Sequence, residues 1–520
     1  MRIETRLRNS ADRFGGKTAI IAGSCRLTYA ELDTQSDRLA SALSCLGVTQ
    51  GARVVLLLDN DAEAVTSFFA IWKARAVACP LHPSMKPQKL AAIIASTDAA
   101  AVIVSARLLA NVDIAISLAG LLPVRIVTHM PPGTAHTALR FEDLVEQGAA
   151  SELPSLDDCE ALALLIHTSG STGRPKGVKL THANVDAACQ SIITYLENTP
   201  DDIVLSVLPL SFGYGITQAV TMTSVGGTLV LEKSFAFPRK IVDRLRDERA
   251  TGFPLVPAMA ALLGNMQDLA PGSLPDLRYV TSAAAALPPT IARRMQDLMP
   301  RARIVVMYGQ TECLRISYLP AEELVKRPTS VGKAIPGTHA LIVDDDGAPV
   351  GPDVIGELTV EGPHVMAGYW QDELGTVQTL EPTANGRRLR TGDLFRMDAD
   401  GFLYFISRKD DIIKTRGEKV SPQEVERVLY ALPGIKEAAV AGIDDPVFGQ
   451  VVRAYVVLES DVVLSERDII RHCASHLEDY MVPKSVEFRD ALPKTTTGKI
   501  RMTAAIDQEP QWGPEWGNAV

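Results

Sequence analysis

Short apolar runs alternate along the N-terminal part of the chain with longer stretches of mixed polar and apolar positions. The runs have the length and composition of buried strands, and they are Arg53–Leu58, Ala101–Val104, Val124–Val127, Ala163–Ile166 and Ile304–Met307. Apolar residues at helical spacing, with charged outer faces, predict helices over Tyr29–Leu43 and Pro238–Ala250. The alternation predicts an α/β fold with a large N-terminal domain of stacked, mostly parallel sheets and helices.

The pattern changes near Gly337. From there on, short alternating strands are separated by turns such as Asp344–Gly347 and Asp398–Gly401, which predicts a small antiparallel or barrel-like subdomain. The charged segment Ser407–Asp411 is followed by roughly 110 residues, a typical small-domain length, whose pattern indicates a compact α+β domain. We therefore predict two domains, an N-terminal one over residues 1–409 and a C-terminal one over residues 410–520.

Composition narrows the class of partner. The chain has 520 residues, too many for one compact core, of which 46% are hydrophobic and 22% charged, as in ordinary soluble proteins. A net charge of −10 and a pI near 5.5 argue against a nucleic-acid partner, because binding to a phosphate backbone needs clustered Lys and Arg. Any anion site should therefore be local.

Cysteine usage and hydropathy bear on location. The seven cysteines include no CxxC pair, which indicates reduced thiols in a cytoplasmic protein, and no apolar segment of the signal-peptide type follows Met1. The charge-free window Ile203–Leu231 is long enough to cross a bilayer, but it contains Pro209 and the pair Gly226–Gly227. We interpret it as a buried strand, loop and helix, and expect no integral membrane segment.

The segment Leu164–Val178 joins an apolar strand to a loop of hydroxyls, glycines and one lysine. Such a loop suits a polyphosphate, because its glycines let the backbone approach an anion and its hydroxyls donate hydrogen bonds. Pro175 and Gly177 flank Lys176, so this is not the familiar ATPase loop, which has Gly before the lysine and Ser or Thr after it. A flexible linker is disfavoured by the preceding apolar run. The candidate phosphate ligands are Thr168, Ser169, Gly170, Ser171, Thr172, Gly173 and Lys176.

Five further segments fit the interpretation of Leu164–Val178 as a phosphate-binding loop. They are Leu208–Gly215 as a pocket floor, Met307–Glu312 with an aromatic ring, a hydroxyl and a carboxylate, Thr391–Asp393 with a carboxylate for sugar hydroxyls, Phe405–Asp411 with Arg408, and Leu492–Ile500 with Lys499. Each residue alone has an ordinary structural explanation. Asp393 could cap a turn and Glu312 could be a carboxylate at a helix start, while Arg408 could form a surface ion pair and Lys499 could be a solvated lysine near the C-terminus. Their shared order and spacing make coincidence implausible.

The set resembles the adenylate-forming superfamily of acyl-CoA synthetases, stand-alone adenylation enzymes and beetle luciferases. The resemblance runs from Leu27 to Lys499, nearly the whole chain. It implies a large AMP-binding N-terminal domain and a small mobile C-terminal lid domain, with the active site between them and a hinge at Asp410.

The resemblance also implies a role for each motif residue. The loop Thr168–Lys176 would hold the β- and γ-phosphates, Tyr308 would stack on adenine, and Gln310 would belong to the nucleotide site. Thr311 would contact the α-phosphate, and Glu312 would coordinate Mg²⁺. The remaining assignments are Asp393 and Arg408 to the ribose hydroxyls, Lys499 to the substrate carboxylate and α-phosphate, Gly417 to a pantetheine tunnel, and Phe212, Gly213, Ala283 and Ala284 to the substrate pocket.

Departures from the family pattern concern the substrate. Amino-acid-adenylating relatives place an Asp after the Phe, whereas Gly213 follows Phe212 here, which favours a plain aliphatic or aromatic carboxylic acid over an α-amino acid. We expect Gly213 to leave room in the pocket, although it fits a tight turn equally well. Ala283 and Ala284 stand where relatives often carry paired glycines and should narrow the wall. His167, before the phosphate loop, is interpreted as a strand-end histidine with satisfied hydrogen bonds.

The predicted reaction uses ATP and Mg²⁺ to convert a carboxylic acid into acyl-AMP and pyrophosphate, and then transfers the acyl group to a phosphopantetheine thiol. Only 21 residues follow Lys499, so we expect the acceptor, CoA or a free carrier protein, to come in trans. The alternative is an amino acid:carrier-protein ligase. A binding protein without turnover is disfavoured because the motif set is complete. The motifs do not distinguish the ligase from a luciferase-like oxidase, so that alternative stays open.

Overall fold

A computed structural model describes the chain except for residues 132, 134–136, 149–157, 170–174, 385, 416–417, 446–448, 461 and 495–520. The chain divides into two compact units. The first unit comprises Met1–Leu341 with Thr359–Thr391, and the second comprises Ile342–Leu358 with Gly392–Val520. The predicted boundary at 409/410, with its hinge near Asp410, stays a prediction.

The helices follow one another as α1 (Ile3–Phe14), α2 (Tyr29–Cys45), α3 (Ala62–Lys73), α4 (Pro87–Thr97), α5 (Leu109–Ala119), α6 (Phe141–Gln147), α7 (His182–Leu196), α8 (Gly213–Val225), α9 (Pro238–Asp247), α10 (Pro257–Gly264), α11 (Pro289–Leu298), α12 (Glu373–Thr379), α13 (Pro422–Ala431) and α14 (Glu466–Ala474). Short 3₁₀ helices cover Ala106–Leu108, Ala321–Glu323 and Lys409–Asp411.

The strands are β1 (Thr18–Ala22), β2 (Cys25–Thr28), β3 (Arg53–Leu57), β4 (Val77–Pro80), β5 (Ala99–Ser105), β6 (Val124–Thr128), β7 (Leu139–Arg140), β8 (Leu162–Ser169), β9 (Pro175–Thr181), β10 (Ile203–Ser206), β11 (Thr228–Leu231), β12 (Gly252–Leu255), β13 (Tyr279–Ser282), β14 (Arg303–Tyr308), β15 (Ser317–Leu319), β16 (Lys333–Ala334), β17 (His339–Val343), β18 (Gly356–Glu361), β19 (Gly368–Tyr369), β20 (Leu380–Thr383), β21 (Gly386–Met397), β22 (Leu403–Arg408), β23 (Ile413–Thr415), β24 (Glu418–Val420), β25 (Ile435–Asp445), β26 (Gly449–Leu458) and β27 (Ser485–Phe488).

The first unit contains two large sheets. The nine-stranded sheet has the order β16-β15-β14-β13-β12-β10-β11-β1-β2 and is parallel from β14 to β1, with antiparallel strands at both edges. The eight-stranded sheet has the order β19-β9-β8-β4-β3-β5-β6-β7 and is parallel from β8 to β7. These sheets confirm the predicted α/β fold with mostly parallel sheets. The prediction succeeded because parallel strands that are buried on both faces appear in the sequence as continuous apolar runs.

The strand β9 returns antiparallel along β8, so the two arms of the phosphate loop lie side by side with Thr168 opposite Lys176. The helix α7 begins directly after β9. Thr181 accepts a hydrogen bond from the backbone N–H of Asn184, whose side chain bonds back to Thr181, and this reciprocal cap starts the helix at His182. The chain after the loop is therefore fixed at once by a capped helix.

The second unit contains a five-stranded sheet with the order β24-β23-β26-β25, in which β27 pairs with β26. Helices α13 and α14 cover it over a core that includes Val425, Leu429, Val456 and Ile469, all fully buried. In the same unit, Asp393–Met397 pairs antiparallel with Leu403–Arg408. The antiparallel pairing and the α+β domain near the C-terminus agree with the predicted pattern.

The predicted strands and helices are all present, and one helix is shorter than predicted. All five apolar runs are strands, and the helix predicted over Tyr29–Leu43 is α2. The helix α9 ends at Asp247, earlier than the predicted Ala250, because Arg249 takes a left-handed backbone with φ +52°. The window Ile203–Leu231 folds into β10, a loop, α8 and β11, as predicted. Among the described residues, no helix has the length and apolar character needed to cross a membrane, and all seven cysteines are free thiols.

Candidate active site

The loop that carries Gln310, Thr311 and Glu312 closes tightly on itself at the end of β14. The backbone N–H of Ile316 donates to the carbonyl of Tyr308 at 2.9 Å. A Cβ on Gly309 would lie 2.8 Å from both the Arg315 Cα and the Leu314 carbonyl oxygen, so only glycine fits at this position. The loop therefore presents its polar side chains from a rigid turn at the carboxyl end of a parallel strand, where α/β sheets bind ligands.

Gln310 and Tyr308 are joined within this loop. The Gln310 side-chain amide donates to the Tyr308 hydroxyl at 3.3 Å and to the backbone carbonyl of Thr391 at 2.9 Å. Tyr308, Gln310, Thr311 and Glu312 are all half-buried, which leaves each accessible to a ligand.

The Glu312 carboxylate is held by a residue far along the chain. The Tyr369 hydroxyl donates to Glu312 Oε1 at 2.9 Å, and the backbone N–H of Met366 donates to the Glu312 carbonyl at 2.8 Å. Burial and the adjacent carboxylate raise the pKa of Tyr369, so its hydroxyl stays protonated and can donate at neutral pH. A hydrogen bond to a charged acceptor contributes about 1.5–3 kcal/mol.

Lys176 lies over the ring of the same tyrosine, Tyr369. Its ammonium is 5.1 Å from the centroid of the Tyr369 ring and 3.9 Å from Asp372 Oδ2. Asp372 also caps α12 by accepting a hydrogen bond from the Gly375 backbone N–H at 2.8 Å. Lys176, Tyr369 and Glu312 thus form one connected cluster, which we call the nucleotide cluster, and it joins the phosphate loop to the loop after β14.

His167 lies on β8, opposite Gly177. Its Nδ1 is buried without a hydrogen-bond partner, so the interpretation of a satisfied strand-end histidine is wrong. Burial, with a contribution from the nearby charge of Lys89, lowers the pKa of His167 to about 4. The imidazole is therefore neutral near pH 7 and supplies no positive charge to the phosphate loop.

The structure corrects the expectation for Gly213. A Cβ at position 213 would lie 2.6 Å from Leu314 Cδ2, so the room expected beside Gly213 is already filled by Leu314. Leu314 is buried and has a left-handed backbone with φ +61°, which a non-glycine residue adopts at some cost. The glycine that packing requires here is Gly215, since its Cβ would lie 2.2 Å from the Pro209 carbonyl oxygen.

The other predicted pocket residues lie at the start of α8 and at the end of β13. Phe212 precedes α8, and its ring is 5.8 Å from that of His82. Ala283 is buried directly after β13, and Ala284 has φ +76°, again a left-handed backbone that favours glycine. Beside them, the Tyr214 hydroxyl lies 2.7 Å from Thr281 Oγ1, near the end of β13.

In the second unit, Asp393 and Arg408 face each other across the β21–β22 pair. Arg408 Nε is 3.2 Å from Asp393 Oδ1, and the two residues are direct partners in the strand register. The Asp393 side chain is buried, whereas the Arg408 side chain is 56% exposed, so the pair lies at the protein surface. The next lysine, Lys409, pairs with Glu357 at 3.3 Å.

Several predicted site residues lie outside the described residues: Gly170, Ser171, Thr172, Gly173, Gly417 and Lys499. The backbones of Ser169 and Asp410 are described, in β8 and in the 3₁₀ helix Lys409–Asp411, but their side chains are not.

Two family models match the chain. Residues 7–370 match the model described as AMP-binding enzyme, and residues 424–499 match the model of the AMP-binding enzyme C-terminal domain. The chain belongs to the AMP-binding enzyme family. The adenylate-forming resemblance is thereby confirmed, and so is the enzyme class, since the relatives are named as acid–thiol ligases.

Relatives of this AMP-binding enzyme include a feruloyl-CoA synthase from an Amycolatopsis species, which is 32% identical over 93% of this chain and 94% of its own length. A long-chain-fatty-acid–CoA ligase, FadD13 of Mycobacterium tuberculosis, is 29% identical over 93% of both chains. Among solved structures, ATP-bound MatB of Rhodopseudomonas palustris has a TM-score of 0.88 and 27% identity, covering 98% of this chain and 99% of its own.

Sequence reasoning missed four residues of this AMP-binding enzyme's first unit: Tyr369, Asp372, Leu314 and Arg315. Tyr369 is 57 positions from the carboxylate it holds, so no local motif connects them. A signal for Arg315 was available, because it interrupts the otherwise uncharged run Cys313–Leu319. Leu314 directly follows the motif, but its effect on Gly213 needs the three-dimensional structure.

Proposed function

We propose that this AMP-binding enzyme is an ATP-dependent carboxylic acid:CoA ligase that forms acyl-AMP and pyrophosphate and then an acyl thioester. The single observation that carries the proposal is the nucleotide cluster, in which a lysine of the phosphate loop and a carboxylate for a metal are held by one tyrosine. The relatives support CoA as the acceptor by their names, and the ATP-bound neighbour supports ATP.

The chemistry explains why these groups are needed. A carboxylate that attacks the α-phosphorus of ATP brings like charges together, and each pair at about 4 Å costs roughly 4 kcal/mol at an effective dielectric near 20. Lys176 binds the β- and γ-phosphates, which leave as pyrophosphate. Lys499 bridges the attacking carboxylate and the α-phosphate, so it lowers the barrier by electrostatic stabilisation.

The residues present fit a magnesium ion. Glu312 offers an oxygen ligand whose position is set by the Tyr369 hydroxyl, and Mg²⁺ is usually bound by one or two carboxylates together with substrate phosphates. When bound, the ion neutralises charge on the triphosphate. The protein's own contribution is to hold both groups at one tyrosine, the Lys176 ammonium over the Tyr369 ring and the Glu312 carboxylate at its hydroxyl.

The remaining roles are the ones that the motif resemblance implies, and we propose them on that ground. Tyr308 stacks on adenine and Gln310 supports it, while Asp393 and Arg408 bind the ribose hydroxyls. The thiol then attacks the acyl carbonyl, AMP leaves, and the pantetheine arm reaches the site past Gly417. A carrier protein with the same arm is the other possible acceptor, and an amino acid substrate is the alternative acid.

The proposal is tested by acid-dependent ATP–pyrophosphate exchange across fatty, aryl and amino acids, followed by thioester formation with CoA. We expect exchange with a subset of acids that lack an α-amino group, and thioester only when CoA is added. Exchange with α-amino acids alone would instead support the carrier-protein ligase. Absence of exchange with every acid would contradict the proposal.

A further inference from the structure

Arg315 is a buried arginine without an acidic partner. Its side chain is only 2% exposed, yet its Nε makes no hydrogen bond, and among the described residues no carboxylate pairs with its guanidinium. Arginine is rarely buried unless it is paired, because removing a charge from water is costly. An anionic partner would stabilise the guanidinium, and the described part of the protein does not supply one.

The groups in contact with Arg315 are neutral. Its guanidinium carbon lies 5.0 Å from the centroid of the Tyr214 ring, its side chain hydrogen-bonds to the Tyr195 hydroxyl on α7, and the Cys189 thiol lies nearby on the same helix. Burial raises the pKa of Tyr195 to about 12 and that of the Cys189 thiol and the Tyr214 hydroxyl as well, so none of the three is an anion at neutral pH. A cation–π contact with Tyr214 offsets only part of the desolvation cost.

The one acidic residue of α7, Asp186, is already paired. Asp186 accepts hydrogen bonds from Arg6 at 2.9 and 3.0 Å and also pairs with the N-terminal ammonium at 3.3 Å. Its charge is therefore compensated, and it does not serve as the counter-ion of Arg315.

The position of Arg315 connects it with the acyl pocket. Its neighbour Leu314 fills the space beside Gly213, and Tyr214, on which the guanidinium lies, contacts Thr281 two residues before Ala283. Arg315 is thus flanked by the residues assigned to the substrate, at the carboxyl ends of neighbouring strands.

We propose that the acid activated by this enzyme carries a second carboxylate, and that Arg315 pairs with it. The inference rests on the proposed function, since it names the substrate class of the same site. A planar guanidinium matches a carboxylate in a bidentate pair, and a dicarboxylic acid would bring to Arg315 the anion it lacks. One carboxylate is activated at the nucleotide, and the other is held at Arg315.

The experiment compares ATP–pyrophosphate exchange for a panel of aliphatic and aromatic dicarboxylic acids, each beside its own monomethyl ester. The ester has nearly the same length and shape but lacks the second charge. We expect the wild-type enzyme to prefer at least one dicarboxylic acid over its ester by roughly 10²-fold or more in kcat/KM, the scale for removing one partner of a buried, hydrogen-bonded charge pair. In Arg315→Met this preference should disappear, while exchange with the ester persists.

A matched control and a stability measurement complete the test. Arg396 also lies over a tyrosine ring, 4.0 Å from the centroid of Tyr404, but it is paired with Asp353, so Arg396→Met should leave the preference unchanged. Because Met replaces an unpaired buried charge, the Tm of Arg315→Met without acid should stay equal or rise.

Three results would overturn the inference. Wild-type exchange with monocarboxylic acids and esters, without preference for any dicarboxylic acid, would contradict it while leaving the proposed function intact. A lower Tm together with equal loss of exchange for all acids in Arg315→Met would show that the arginine is structural. Absence of exchange with every acid, whether it carries one carboxylate or two, would contradict the proposed function and the inference with it.

Discussion

The proposed nucleotide side and the proposed acyl side of the first unit differ in how their charges are compensated. On the nucleotide side, Lys176 meets Tyr369 and Asp372, and the Glu312 carboxylate accepts a hydrogen bond from the same tyrosine. On the acyl side, the charge of Arg315 is buried against a tyrosine ring and has no carboxylate partner among the described residues.

The difference separates chemistry that every substrate shares from chemistry that one substrate brings. A site for a common nucleotide can be held ready by internal contacts that are exchanged for phosphate on binding, so its groups are partnered beforehand. A site that selects one acid gains specificity from a group left unpaired until the right substrate arrives. Substitutions on either side should therefore have different consequences.

The largest effect is expected from Lys499→Ala, which removes the charge assigned to the α-phosphate and substrate carboxylate. Acid-dependent pyrophosphate exchange should fall by roughly 10²-fold or more, the scale for one lost transition-state contact. Conversion of ready-made acyl-AMP to thioester should be retained. The control is Lys494→Ala in the same segment, since Lys494 is exposed and pairs with Glu437. Equal loss of both half-reactions would argue against a role confined to the first step.

Removing the Tyr369 hydroxyl tests the link within the nucleotide cluster. Tyr369→Phe keeps the ring beside Lys176 but loses the hydrogen bond to Glu312, so exchange should fall by about 10-fold, as expected for about 1.5 kcal/mol. The concentration of Mg²⁺ required for half-maximal exchange should rise. Tyr369→Leu removes the ring as well and should additionally raise the KM for ATP. An unchanged Mg²⁺ dependence in Tyr369→Phe would show that the hydroxyl does not position the metal ligand.

Opening the acyl side tests whether Leu314 limits the pocket. Leu314→Gly relieves the left-handed backbone and vacates the space beside Gly213. The ratio of kcat/KM for bulkier acids to kcat/KM for smaller acids should rise by about 10-fold, the scale for one or two methylenes in an apolar pocket. The KM for ATP should not change. If the preference among acids stays as in the wild type, Leu314 does not line the pocket.

The smallest effect is expected from Asp372→Asn. The Lys176–Asp372 pair is long and about one-third exposed, so it contributes at most about 1 kcal/mol, and asparagine still caps α12. Without the competing carboxylate, Lys176 should bind phosphate slightly better, and the KM for ATP should fall by no more than about fivefold. A rise in KM would mean that Asp372 orients Lys176 instead of competing for it.

The fold, and the family that the nucleotide motifs indicate, were predictable because their signals are local. Buried parallel strands such as β3 and β14 appear as continuous apolar runs, and the glycine and hydroxyl spacing of the phosphate loop is short enough to read directly. The acyl side was not predictable in the same way. Whether Gly213 opens a pocket depends on Leu314, a residue 101 positions away whose backbone takes an unusual conformation. Likewise, the hydrogen bond from Tyr369 to Glu312 joins two turns from distant parts of the sequence.

The proposed reaction requires the acid to attack ATP at its α-phosphorus and not at the γ-phosphorus. The most direct measurement uses an acid that supports exchange, labelled with ¹⁸O in its carboxylate, together with ATP and CoA, and follows the label by mass spectrometry. We predict that one ¹⁸O appears in the phosphate of AMP, because the carboxylate oxygen bonded to phosphorus leaves with AMP when the thiol attacks. Label in inorganic phosphate, accompanied by ADP, would contradict the account.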